Sequence, residues 1–129
     1  MIYPDVKALA NGKNFAAFTT LLPSGQPMTH VMWVDADDEH ILINSEMGRQ
    51  KVINVTKDPR VTVTVIDAAN PYHYAEVRGT VVEQVKGPEA RAHIDKLSQK
   101  YVGQPYDPNA IKTERVLLVI DPERQRVNG

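Results

Sequence analysis

The clearest hydrophobic pattern in the chain is Val61-Thr62-Val63-Thr64-Val65-Ile66, a β-branched run that predicts a strand. Phe15 to Leu22, rich in apolar residues and threonine, predicts another, and the turn residues Pro23-Ser24-Gly25-Gln26 join it to a strand over Met28 to Asp35. Within that strand Thr29, Val31 and Trp33 share one face and Met28, His30, Met32 and Val34 the other. Large side chains on both faces predict cover on both sides. Ala36 to Glu39 turns the chain into a strand over His40 to Asn44. Tyr72 to Val85 reads as a long strand bent near Gly79, and Arg115 to Ile120 as a buried last strand broken by Asp121-Pro122. Val127 is placed as a final edge contact.

Helical spacing is confined to three short stretches. Pro4 to Ala10 has Pro in its first turn and Gly12 as a stop. Ser45 to Thr56 changes period, with Val52 and Val55 three apart, and Asp58-Pro59 ends it. Gly87-Pro88 opens the third helix, where Ala90, Ile94, Leu97 and Tyr101 form one apolar stripe before Gly103 and Pro105. Gln104 to Ala110 is expected to have little local structure. About six strands joined mostly by short turns imply antiparallel pairing, closing best as a small barrel with peripheral helices.

Composition narrows the function classes. At 129 residues the chain is expected to form a single domain over residues 1–129. Fifteen Lys and Arg against 16 Asp and Glu leave a net charge of −1, without the basic footprint of non-specific nucleic-acid binding. The absence of cysteine excludes a disulfide scaffold, a thiolate nucleophile and a cysteine-ligated metal. No apolar run is long enough to span a membrane and no signal-peptide pattern is present, so a cytoplasmic location is expected. His30, His40, His73 and His93 are scattered, and no metal site is expected from them. Ser24 and Ser45 lack evident His and acid partners, and Gly-x-Ser-x-Gly is absent. No catalytic side chain is identified. Any reactive group is expected to come from a cofactor, and a sizeable cofactor would be shared between two copies of so small a chain.

The most informative stretch is Asn44-Ser45-Glu46-Met47-Gly48-Arg49-Gln50-Lys51, where a strand gives way to a helix. The first turn of a helix has unpaired N–H groups and a partial positive charge that suit a phosphate. Ser45 offers a hydroxyl, Arg49 a planar fork and Lys51 a point charge. On spacing alone the simpler reading is a surface helix capped by Ser45, with Arg49 and Lys51 solvated, since residues two apart on a helix face different ways. Trp33 reads first as a core or interface residue.

The order of these elements resembles a known family. Gly48-Arg49-Gln50-Lys51-Val52-Ile53-Asn54-Val55, followed by Asp58-Pro59-Arg60-Val61, and then YAEVRGTV, KYVGQPY and ERVLLVI, are similar to the FMN-binding split-barrel proteins related to pyridoxamine 5′-phosphate oxidase. Within them the chain looks most like the actinobacterial branch that uses the deazaflavin coenzyme F420. The resemblance covers almost the whole chain. It implies a mainly β fold: a six-stranded antiparallel split barrel with short peripheral helices, forming a homodimer with a cofactor in each interface groove. It implies that Ser45, Arg49 and Lys51, assisted by Asn54, hold the cofactor phosphate, which reverses the preference drawn from spacing. His30, Val31, Met32 and Trp33 become candidate ring contacts, and Tyr74 a contact from the other protomer. Val31 and Val55 stand where the family often has proline and leucine. The extra C-terminal substrate residues of the pyridoxamine oxidases have no counterpart here, so that activity is not expected. The implied function is an F420-dependent oxidoreductase that delivers a hydride to a conjugated organic acceptor. The alternatives are an FMN-dependent oxidoreductase and a non-catalytic cofactor carrier.

Overall fold

The computed structural model describes all 129 residues. Seven antiparallel strands form one curled sheet in the order β2-β1-β5-β6-β7-β4-β3. The long strands are β1 (Phe15–Leu21), β2 (Pro27–Met32), β4 (Ile41–Glu46), β5 (Arg60–Ile66), β6 (Tyr74–Val85) and β7 (Arg115–Asn128), and β3 is the two-residue piece Asp35–Ala36. The helices are α1 (Pro4–Asn11), α2 (Gln50–Lys57) and α3 (Pro88–Tyr101), with a 3₁₀ turn at Pro108–Ala110. No helix is long and apolar enough to cross a membrane.

The two edges of the sheet, β2 and β3, follow each other in the chain with only Trp33-Val34 between them. The sheet therefore curls until its edges meet without a ladder between them, the open seam of a split barrel. Alternation drives the curl: Ala16 and Phe18 on β1, Val61, Val63 and Val65 on β5, and Val116, Leu118 and Ile120 on β7 all enter one 21-residue core. A smaller cluster, Leu42, Leu117, Val119 and Ala90, lies between the other face of β4–β7 and α3. Burying both faces of the β4–β7 pair explains its uninterrupted apolar runs.

Three boundaries differ from the sequence reading, each for a local reason. The second strand ends at Met32 because the chain crosses the seam there. The last strand does not stop at Asp121-Pro122 but runs to Asn128. Pro122 and Glu123 sit opposite Gly79 alone in a bulge, where no ladder hydrogen bond is asked of proline. A Cβ on Gly79 would lie 2.0 Å from the Asp121 carbonyl oxygen, so only glycine admits this approach. Finally, β4 continues through Ser45 and Glu46, and α2 starts at Gln50 with Arg49 as its N-cap. Gly48, at φ +93°, makes the turn between them.

Candidate functional site

The seam opens into a cavity of about 290 Å³. Phe15, Val31, Met32 and Trp33 line one wall, and Asn44, Ser45, Arg49, Lys51 and Arg115 line the opposite corner. Ile94 from α3 and Tyr106 from the following loop complete it. Trp33 stacks on Tyr101 with ring centres 5.1 Å apart and planes 5° from parallel, and Tyr106 meets Trp33 edge-on. Tyr101 is itself fixed by its hydroxyl, which accepts from the Val34 N–H at 3.1 Å. One side of the cavity is thus a rigid aromatic wall.

The other corner is cationic. Arg115 is buried and holds its guanidinium 5.3 Å from the Tyr106 ring centre. Lys51 is only 7% exposed yet forms no ion pair and no side-chain hydrogen bond. Burial, and then the charges of Arg49 and Arg115, push its pKa below the ordinary lysine value. One carboxylate serves the corner: Glu46 Oε2 lies 3.6 Å from Arg49 Nη2 and 3.7 Å from Arg115 Nη1. Burial would raise the pKa of Glu46, but the Thr113 and Lys112 N–H groups and the Arg115 and Arg49 charges outweigh it and lower it. Two arginines therefore share one carboxylate, and Lys51 has none.

Polar groups without partners converge on the same corner. Ser45 Oγ is buried with no hydrogen-bond partner. The N–H groups of Gln50 and Lys51, in the first turn of α2, make no backbone hydrogen bond. A buried, unpaired cation and an unsatisfied hydroxyl are each destabilising by themselves. Their convergence fits an anion such as a phosphate, which would accept from all of them.

The sequence-derived candidates divide here. Ser45, Arg49, Lys51, Val31, Met32 and Trp33 line the cavity. Arg49 and Lys51 reach the same space because Arg49 lies outside the helix, in extended backbone. Ser45 is a strand residue opposite Val116, not a helix cap. Asn54, His30 and Tyr74 do not line the cavity. Asn54 is buried, and its amide is engaged by Thr20 Oγ1 at 2.9 Å and Gln50 Nε2 at 2.8 Å. His30 is exposed on β2 opposite Phe18. Tyr74 lies in a cross-strand row with Ile66 and Phe15. Sequence reasoning missed Arg115 and gave Asn44 no role in the site. The available signal for Arg115 was a charge heading an otherwise fully apolar run.

The profile of the pyridoxamine 5′-phosphate oxidase family matches residues 2–128, and the chain belongs to that family. Among solved structures it is similar to an F420 reductase, with 33% identity over 97% of this chain and 98% of that one, at a TM-score of 0.85. It is also similar to a conserved hypothetical protein from Mycobacterium tuberculosis, with 25% identity over 99% of this chain and 84% of that one, at a TM-score of 0.79. The general stress protein 26 of Bacillus anthracis shares the fold at 17% identity, covering 96% of this chain and 91% of that one, with a TM-score of 0.71. No curated protein matches the chain.

Proposed function

We propose that the cavity holds a phosphate-bearing flavin-type cofactor, coenzyme F420 in the first place, and that the protein is an F420-dependent reductase. The observation that carries this reading is Lys51, buried and unpaired beside the unpartnered Ser45 hydroxyl. Lys51, Arg49, Arg115, Ser45 and the start of α2 would take the phosphate. The preference for F420 over FMN rests on the similarity to an F420 reductase. Phosphate recognition is common to both, so FMN is the alternative.

The isoalloxazine-like ring would lie along β2 beside Val31, Met32 and Trp33. As an edge strand, β2 has one line of backbone N–H and C=O groups with no ladder partner, ready to meet the polar rim of such a ring. When bound and reduced, the deazaflavin supplies a hydride to a conjugated organic acceptor. No His, Asp or Glu lines the cavity, so the chain's own part is to bind, orient and exclude water. That lining also suits the second reading, a carrier that reduces nothing.

A single chain leaves the site incomplete. Its cavity falls just short of the roughly 300–1,000 Å³ of drug-sized ligand pockets. Phe15 and Val31, two of its wall residues, are 46% and 73% exposed, and Ile66 continues this apolar surface beside Phe15. A second copy seated there would cover the surface, close the cavity and bring Tyr74 of one protomer toward the cofactor of the other. Sedimentation should then show a dimer at micromolar concentration, whereas a monomer would remove the shared groove.

Fluorescence titration with F420 and with FMN tests the main reading. Tight FMN binding with none of F420 overturns the choice of cofactor, and binding of neither overturns the cofactor reading. If F420 binds but its reduced form reduces no member of an acceptor panel, the carrier reading replaces the reductase.

A further inference from the structure

A line of hydrogen-bonded polar side chains, with Arg115, Asn44 and Asp35 buried and His93 nearly so, runs from α3 to the cavity. Arg115 Nε donates to Asn44 Oδ1 at 3.0 Å, and Asn44 Nδ2 donates to the Ala90 carbonyl, also at 3.0 Å. A guanidinium can only donate and a carbonyl can only accept, so these two partners fix which way the Asn44 amide points. The same Asn44 Nδ2 lies 3.1 Å from His93 Nδ1. That ring nitrogen must therefore accept, which places the imidazole proton on Nε2. His93 Nε2 lies 3.0 Å from Asp35 Oδ2, which also accepts from Lys96 Nζ at 3.0 Å. Burial would raise the pKa of Asp35, but the hydrogen bonds from His93 and Lys96 outweigh it and lower it to about 2. Every member of the line is thus assigned a donor or acceptor role by its neighbours.

We propose that His93, which does not line the cavity, is a positioning residue for the anion site: by accepting from Asn44 it holds that amide so that Arg115 stays aimed into the cavity. A turned-over Asn44 would set its NH₂ against the Arg115 N–H and its oxygen against the Ala90 carbonyl. Both contacts are repulsive, and His93 adds a third penalty, because its Nδ1 would then face an oxygen. Without that acceptor one Asn44 hydrogen is left buried and unpaired, and the amide and Arg115 loosen together. The effect on affinity rests on the phosphate reading above. The orientation of Arg115 does not.

Three variants of the full chain separate this role from simple packing. In His93→Asn the side-chain oxygen falls near the place of Nδ1 and keeps the Asn44 contact, while the contact with Asp35 is lost. His93→Gln does the reverse, and His93→Leu loses both. Amide and guanidinium NMR reads the exchange protection of the Arg115 Nε–H without any ligand. FMN and F420 titrations read affinity, and thermal melts read stability. Protection is expected to persist in wild type and His93→Asn and to fall in His93→Gln and His93→Leu. Affinity should fall by about two- to tenfold in the latter pair, the size of one neutral hydrogen bond. Unchanged protection in both His93→Gln and His93→Leu overturns the proposal. So does His93→Asn losing as much as His93→Leu, with affinity simply following stability. If wild type binds neither cofactor, the phosphate reading fails and the NMR result still decides the positioning role.

Discussion

Two of the cavities that carry arginine differ in kind. The larger, about 470 Å³, is lined by Arg60, Arg78 and Arg124 on β5, β6 and β7. There Arg60 pairs with Asp58 at 2.7 Å and Arg78 with Glu76 at 3.1 Å, and both guanidiniums are exposed. The smaller, at the seam, holds Arg115 and Lys51 out of water, with a single carboxylate shared by Arg49 and Arg115 and none for Lys51. Exposed, locally paired charges contribute little and are screened by salt. A buried cation without a partner is different, because only an incoming anion can satisfy it. Size and number of positive charges therefore do not single out the cavity proposed to take an anion. Burial and the lack of a partner do.

The sharpest break of this comparison is Lys51→Met. It should lower FMN or F420 affinity by on the order of ten- to a hundredfold, the range of a hydrogen bond to a charged group. The ligand-free protein should melt at the same temperature or higher, because an uncompensated buried charge is gone. Titration and a thermal melt on one preparation check both halves. Arg115→Met should also weaken binding, but with the opposite sign on stability. It leaves Asn44 Oδ1 without its donor and removes a charge partner of Glu46, a loss of about 1–3 kcal/mol readable by denaturant melts.

A pH titration of affinity comes next in size. The Lys51 pKa lies below the ordinary lysine value. The cation proposed to bind a phosphate is therefore lost on the alkaline side earlier than for a solvated lysine. Affinity should fall as pH rises through that lowered pKa, and the fall should be absent in Lys51→Met. The smallest effects belong to the outer cavity, where Arg60→Ala and Arg78→Ala should change affinity by less than about twofold. A large loss in either would erase the contrast between the two cavities.

What the sequence revealed of this site follows from what burial depends on. The strand β5 and the helix α3 were legible because one face of each is apolar at the right period. Arg49 and Lys51 were legible as residue types in a motif. Their convergence was not, because helical spacing separates them and only the Gly48 turn, with Arg49 left outside α2, brings them together. The continuation of β7 past Asp121-Pro122 was hidden because it depends on Gly79, more than forty residues away, leaving room for a bulge. Arg115 and His93 look like ordinary surface polar residues in the sequence. Arg115 becomes buried, and His93 nearly so, only when α3 folds over the β4–β7 pair, and no local pattern encodes that docking. Conversely Lys57, Arg60 and Arg78, which share the sign of a phosphate site, do not line the seam cavity.

Lys51, the unpaired cation at the β4–α2 junction, is proposed to receive a phosphate together with Arg49 and Arg115. The most direct test of this compares each cofactor with its phosphate-free counterpart: FMN with riboflavin, and F420 with its dephosphorylated chromophore, titrated against the same protein. The ring is common to each pair and only the anion differs. Whichever cofactor binds should lose at least about tenfold in affinity with its phosphate removed, and the loss should shrink in Lys51→Met. Equal affinity within a pair would contradict this, leaving the buried lysine without its proposed role.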